Sequence, residues 1–241
     1  MKSNYNIPQP LLRWVLFLNA ICLAVPSFAA GETATVQEIL DGNQLYIDGN
    51  QARLKQAAQV PQVISTGDSR GQLGFESGAV GRINRQSLLK LGSSCFLLNK
   101  GQILVSGRQD GCTRSSRMSV RGTNYLLQVD ENGNADLAVL EGTVQVEATE
   151  SKTAPVTVQA GQRLRLSPTG VVLGLVKLAL GDYQSILDGP LFSGYSLPLP
   201  AYANLESYLR SNMPGLNLPI TPSLPIPTTP SVPGLSLPRF F

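Results

Sequence analysis

The feature that most constrains this chain is an alternation of apolar and polar residues, broken at short intervals by turn residues, from about residue 33 to residue 166. Val144 and Val146 alternate with Thr143, Gln145 and Glu147, Val156 and Val158 with Thr157 and Gln159, and Leu164 and Leu166 with Arg163 and Arg165. Successive side chains of an extended strand point to opposite faces, so each run sets an apolar face on a core and a polar face in water. Turn signals separate the runs: Asp41-Gly42, Asp48-Gly49-Asn50, Gly67-Asp68, Glu76-Ser77-Gly78, Asn99-Lys100-Gly101, Asn132-Gly133 and Ala160-Gly161. The clearest hairpin joins residues 124–129 to 135–140 through Asn132-Gly133. Many short antiparallel strands at this spacing predict an all-β domain, jelly-roll or β-sandwich-like, over residues 31–170.

The pattern changes after Pro168. Residues 171–180 are apolar enough to fit either a last strand or a buried helix. Asp182 sits where it would cap a short helix reaching Leu187, and residues 201–212 place Leu205, Tyr208 and Leu209 on one stripe with Met213. Residues 171–213 are therefore expected as an extension with short helices. Residues 190–241 hold 11 of the 17 prolines and three charged residues, Glu206, Arg210 and Arg239. From Pro214 onward the Leu/Pro/Ser/Thr composition predicts a proline-rich tail over 214–241, not a domain.

The first 29 residues have the layout of a leader. Lys2 and Arg13 precede an apolar run over residues 14–25, interrupted only by Asn19, and Pro26-Ser27-Phe28-Ala29 supplies small residues for a cleavage pocket. The run falls short of the roughly 20 residues that span a bilayer, so a cleaved signal peptide over 1–29 is expected, with no transmembrane span afterwards. Ile21 precedes Cys22 where lipid attachment wants a small residue. The expected destination is the periplasm or the outside of the cell, an oxidising compartment in which Cys95 and Cys112 form a disulfide stapling one edge of the sandwich. Two buried free thiols are the alternative. Loss of Lys2 and Arg13 lowers the net charge from +3 to +1. So even a balance gives no electrostatic reason to expect nucleic-acid binding.

The chain has no histidine. That removes the commonest general base, the serine–histidine nucleophile and the commonest zinc and iron ligand, so neither enzymatic activity nor a cofactor or metal is expected. Hydrolysis by carboxylates alone would need a cleft holding two acids within about 10 Å. Asp130 and Glu131 sit at a hairpin tip and read as solvated turn residues, and Glu141, before Gly142, reads as structural. Gly71-Gln72-Leu73-Gly74 and Gly78-Ala79-Val80-Gly81 lack the strand-to-helix setting of a phosphate loop and read as turns or bulges. One polar cluster stands out around the second cysteine: Arg108, Arg114, Arg117 and Arg121. Arg117 and Arg121 share strand parity with Ser119, and guanidinium groups grip carboxylates or phosphates through paired hydrogen bonds. An acidic glycan, a lipid headgroup or an acidic protein surface fits such a cluster; so does a plain solvated strand face. Phe240-Phe241 resembles the end of an outer-membrane barrel, but the long series of roughly ten-residue membrane strands that a barrel requires is missing.

Four segments, in order, resemble the FecR domain family: Ile64-Ser65-Thr66-Gly67-Asp68-Ser69, Val120-Arg121-Gly122-Thr123, Val139-Leu140-Glu141-Gly142-Thr143-Val144 and Ala160-Gly161-Gln162. Leu73-Gly74-Phe75-Glu76-Ser77-Gly78 lies between the first two and is similar to the family's strand and turn. The resemblance spans roughly residues 40–166 and implies an extracytoplasmic jelly-roll-like domain. Full-length members relay a signal from an outer-membrane receptor to a cytoplasmic sigma factor. The cysteine pair and Gly181-Asp182-Tyr183 resemble stand-alone cyanobacterial versions. Here only about a dozen residues precede the apolar run, too few for the family's cytoplasmic helix bundle, and the proline-rich tail stands in place of the receptor-facing module. The sigma-regulating role is therefore not carried over. What is expected is a non-enzymatic binding or sensing module whose partner is a protein or glycan of the cell envelope. The alternative is a surface-structural or acidic-glycan-associated protein tethered by its tail.

Overall fold

The alternating runs become strands of two stacked sheets in a computed structural model of the protein, which describes residues 32–149 and 154–219. The expected leader and residues 220–241 of the expected tail lie outside the described residues. The first eight strands are β1 (Thr33–Leu40), β2 (Leu45–Ile47), β3 (Asn50–Gln51), β4 (Ala57–Gln59), β5 (Val63–Thr66), β6 (Arg70–Phe75), β7 (Val80–Ile83) and β8 (Leu88–Leu91). Then come β9 (Phe96–Gly107), β10 (Gly111–Cys112), β11 (Ser116–Val120), β12 (Thr123–Val129) and β13 (Ala135–Glu141). The last are β14 (Thr143–Ala148), β15 (Val156–Gln159), β16 (Gln162–Leu166) and β17 (Val172–Lys177), followed by helices α1 (Leu180–Leu187) and α2 (Tyr202–Asn212).

Backbone pairing orders the first sheet β4-β1-β6-β7-β9-β12-β13-β16-β17. The second runs β3-β2-β5-β8-β9-β10-β11-β14-β15. Among the described strands, only β9 and β10 pair in parallel. Strand β9 serves both sheets, pairing with β8 up to Lys100 and with β12 from Gly101 onward. Asn99-Lys100-Gly101 is thus a correction to the sequence reading: it is a bend inside one strand and not a turn between two. Gly101 has φ +93°, and a Cβ there would lie 2.5 Å from Ser87 Cα, so both conformation and space reserve the bend for glycine. The four segments that carry the FecR resemblance fall at four passages between the sheets, β5 to β6, β11 to β12, β13 to β14 and β15 to β16. Gly122, Gly142 and Gly161 take positive φ at three of these corners.

The core between the sheets holds the inward members of the alternation, among them Val36, Leu73, Leu89, Val144, Val146, Val158, Leu164 and Leu166. Each such aliphatic side chain contributes about 1.5–3 kcal/mol when fully buried. The opposite face of the first sheet is not the wet face that strict alternation implies. Val80, Leu104, Leu126, Ala138 and Leu140 are buried there beneath Leu178, Tyr183, Leu187, Leu191, Phe192, Leu199, Leu205 and Leu209. The segment after β17 is therefore a third layer. Strands β9, β12 and β13, covered on both faces, carry unbroken apolar stretches: Ile103-Leu104-Val105, Tyr125-Leu126-Leu127 and Leu137-Ala138-Val139-Leu140.

Of the two options open for residues 171–180, the structure takes the strand for 172–177 and starts α1 at Leu180. Asp182 accepts a hydrogen bond from the Ala179 N–H at 2.8 Å and closes the first turn. Helix α2 buries Leu205 and Leu209, with Tyr208 and Met213 half-buried beside them. Residues 214–219, the start of the expected tail, lie on the same layer. Leu216 and Leu218 pack against it, the Asn217 N–H donates to Gln184 Oε1 at 3.1 Å, and the Tyr202 hydroxyl donates to the Pro219 carbonyl at 2.9 Å. No helix of the described residues is long and apolar enough to cross a membrane. Cys95 and Cys112 form the expected disulfide, with Cα atoms 5.9 Å apart. It ties the start of β9 to β10 in the middle of the second sheet, not at an edge, because β10 inserts between β9 and β11.

Candidate functional site

Strands β11, β14 and β15 lie side by side, with Ser119 opposite Gln145 and Gln145 opposite Thr157. Because Met118, Val120, Val144, Val146 and Val158 turn into the core, these three polar side chains turn outward in a row. The row floors an open cleft of about 730 Å³. One wall is built from Ser93 and Ser94, just before Cys95, and from residues 108–110, just before Cys112. The disulfide therefore clips together the two segments of that wall. Glu76 and Ser77, in the turn between β6 and β7, complete the cleft together with Glu32, Arg121 and Thr143.

Of the four arginines expected as a cluster, the structure brings Arg108 and Arg121 to the cleft itself. Arg108 and Arg121 both line the cleft and are exposed, and the guanidinium group of neither makes a hydrogen bond or ion pair with a described residue. Arg117 is committed to the wall: its guanidinium lies 3.2 Å from Asp110 Oδ2 and 3.4 Å from Ser94 Oγ. Arg114 is exposed and does not line the cleft. Among the described residues, no group of three or more His, Cys, Asp and Glu side chains is placed to hold a metal ion.

The acids of the cleft were not visible as a set, since Glu32, Glu76 and Asp110 come from distant parts of the sequence. Asp110 accepts from the Val120 N–H at 2.9 Å through Oδ1 and pairs with Arg117 through Oδ2, which pins its loop to β11. Glu32 Oε1 accepts from Gln109, while Oε2 is buried without a hydrogen-bond partner. Burial pushes the Glu32 carboxyl up to about 7; the Gln109 hydrogen bond opposes that rise and the negative charge of Asp110 adds to it. Gln109 is itself fixed, accepting from Ser77 Oγ at 2.9 Å and, through its carbonyl, from the Tyr125 hydroxyl at 2.8 Å. Burial pushes the Tyr125 hydroxyl up, so it stays a donor to that carbonyl at neutral pH.

A second arginine group, missed in the sequence, fastens the third layer. Arg82 is fully buried and donates to Gln72 Oε1 at 2.9 Å, to the Leu191 carbonyl at 3.1 Å and to the Leu197 carbonyl at 2.8 Å. Burial pushes its pKa down to about 10, so it remains charged at neutral pH. Arg70 pairs with Asp41 at 2.6 Å and donates to the carbonyls of Pro190 and Ser193. The hydrogen bond from Arg70 holds Asp41 below the usual carboxylate range. Glu38 adds acceptors for the N–H groups of Ser196 and Leu197. These partners are backbone groups of one crossing segment, so this second group is structural.

No family model matches the chain, and no curated protein matches it in sequence. Among solved structures, two crystal structures of a candidate anti-sigma factor from Parabacteroides distasonis, at 2.50 and 1.65 Å resolution, are similar with a TM-score of 0.43. The identity is 17%, over 61% of this chain and 73% of that one.

Proposed function

We propose that this chain is an exported, non-enzymatic FecR-like module that binds a hydroxyl-rich, acid-bearing component of the cell envelope through the polar cleft. The observation that carries the proposal is the pairing of two guanidinium groups without described partners, those of Arg108 and Arg121, with the outward row Ser119, Gln145 and Thr157. Guanidinium groups hold carboxylates in a planar, bidentate fashion. Serine, threonine and glutamine side chains, together with Glu76, offer the mixed donors and acceptors that sugar hydroxyls need. An acidic glycan matches both halves of this set. Export is supported by the leader pattern and by the disulfide. The FecR-like assignment is supported by the four ordered segments and their place at the corners of a β-sandwich.

Isothermal titration with an oligogalacturonate tests the binding. Each charge-assisted contact contributes about 1.5–3 kcal/mol, so the double variant Arg108→Gln/Arg121→Gln should bind about tenfold more weakly or worse. Equal affinity of the two proteins would refute the assignment. The tether alternative is separated by removing residues 220–241, which leaves the described third layer complete. Envelope association that survives this truncation excludes a tail anchor.

The cleft also favours a second reading. Glu32, raised to about 7, shares the cleft with Asp110 and Glu76, and a raised acid beside other carboxylates is the pattern of carboxylate hydrolysis. Asp110 is already occupied on both oxygens, which leaves Glu76 as the second acid. Cleavage of the oligogalacturonate that Glu32→Gln abolishes would select this reading; binding without cleavage selects the module.

A further inference from the structure

The first sheet ends at β4 and β17, and the second at β3 and β15. Three of these edges are blunted: β3 and β4 are two and three residues long, and β15 presents Thr157 and Gln159 to solvent. Such shortening and polarity are how sheet proteins discourage edge pairing. Strand β17 is longer and more apolar: its one charge is the terminal Lys177, and its one irregularity is a bulge at Leu173, where Val172 pairs with Leu166 and Gly174 with Arg165. It runs for six residues, pairs with β16 on one side, and meets no described strand on the other. Between Val171 and Val176 it carries no charge, and Val171, Val172, Leu173, Leu175, Val176 and the following Leu180 are 43–62% exposed. The third layer starts just beyond it and turns over the sheet face, so it does not shield this edge.

The edge is also self-complementary. Val172-Leu173-Gly174-Leu175-Val176 reads the same in both directions. Two copies laid antiparallel about an axis through Gly174 set Val172 against Val176 of the second copy, Leu173 against Leu175, and Gly174 against itself. That is the arrangement an isologous two-fold contact requires. These apolar residues expose on the order of 500 Å² per copy, comparable to the largest apolar patch of an ordinary monomer. Edge-to-edge pairing would bury part of this area on each copy, below the size of a standard specific interface, with ladder hydrogen bonds added along the strand. The expected contact is therefore weak, in the micromolar range. The chain's own residues 220–241 suit the edge less well. Prolines at 222, 225, 227, 230, 233 and 238 deny the tail an unbroken row of N–H donors.

We propose that β17 is a homodimer interface, with two copies paired antiparallel about Gly174. A cysteine at Gly174 tests the register. The position is open, with nothing within 4 Å of an added Cβ, and directly opposed Cα atoms in an antiparallel ladder lie about 4.5–5.5 Å apart, within disulfide range. Oxidised Gly174→Cys is expected to run as a covalent dimer in high yield, whereas Gln159→Cys on the polar edge is not. Sedimentation velocity of the unmodified protein up to about 100 µM should show a reversible dimer. Leu173→Lys/Val176→Lys, with an unchanged circular dichroism spectrum, should return it to monomer. Three results would overturn the proposal: a monomer at every concentration, cross-linking of Gly174→Cys no better than Gln159→Cys, or a dimer indifferent to the two lysines. A protein that dimerises only once residues 220–241 are removed would assign the edge to the tail instead, and also overturns it.

Discussion

Arg82 stacks on Tyr195, its guanidinium carbon 4.1 Å from the ring centre, although 113 residues separate them in the chain. The contact holds the crossing segment of the third layer onto the first sheet, and the Leu191 and Leu197 carbonyls complete it. Arg82→Met leaves the Leu191 carbonyl and Gln72 Oε1 buried without that donor, and takes the donor from the part-buried Leu197 carbonyl. A buried unsatisfied group costs about 1–3 kcal/mol, so a total loss of about 3 kcal/mol is expected in denaturant unfolding, with faster protease nicking within residues 189–200. Arg82→Lys should rescue little, because a single ammonium does not reproduce the fork that reaches three acceptors. Unchanged stability and protease resistance would contradict this role.

Gly101 makes a separate prediction. A β-carbon there meets Ser87 Cα at 2.5 Å where the strand changes sheets, and the backbone already sits at positive φ. Gly101→Ala should cost more than the roughly 1 kcal/mol of an ordinary glycine exchange and should lower the yield of folded protein. Gly174→Ala, in open space, is the matched control and should be nearly neutral.

The disulfide joins cysteines 17 residues apart and closes the cleft wall. Loop-closure entropy assigns a bridge of this span about 3 kcal/mol. Cys95→Ser/Cys112→Ser should unfold at lower denaturant by that order and should loosen the Ser93, Ser94 and Arg108 segments, seen as faster amide exchange there. Unfolding the native protein without reductant should release no thiol from Cys95 or Cys112.

Glu32 ties the cleft to pH. Its folded pKa of about 7 lies above the usual 4.5, so between these values the folded protein holds more protons than the unfolded chain. Stability from this group is full below about pH 4.5 and is lost as pH rises through about 7. Relative to Glu32→Gln, the wild type should therefore gain stability as pH falls across that window. A difference that stays constant with pH would show that Glu32 is not buried as described.

Local pattern and global arrangement were unequally legible in the sequence. The alternation at Val144, Val146, Val158, Leu164 and Leu166 marks the inner core correctly, because strand periodicity is a local signal. Asn132-Gly133 marks its hairpin for the same reason. Asn99-Lys100-Gly101 misleads, because a glycine at positive φ serves a tight turn and a strand bend equally well. The third layer was readable in part: Leu137-Ala138-Val139-Leu140 breaks the alternation in the way a doubly covered strand does. Which segment covers it was not readable, since no local rule links Arg82 to Tyr195. The cleft divides similarly. Arg108 and Arg121 stood out as part of a cluster near Cys112, but Glu32, Glu76 and Asp110 meet only through the sheet topology. The FecR-like segments lie at corners between the sheets, so that resemblance reports the architecture and not the binding residues.

Amide chemical-shift mapping of the isotope-labelled protein during titration with an oligogalacturonate shows whether the polar cleft is the binding site. Binding in the cleft should give saturable shifts concentrated at Ser94, Arg108, Ser119, Arg121, Gln145 and Thr157, and these should be lost in Arg108→Gln/Arg121→Gln. Shifts scattered over the surface, or centred on the third layer and indifferent to the two substitutions, would contradict it.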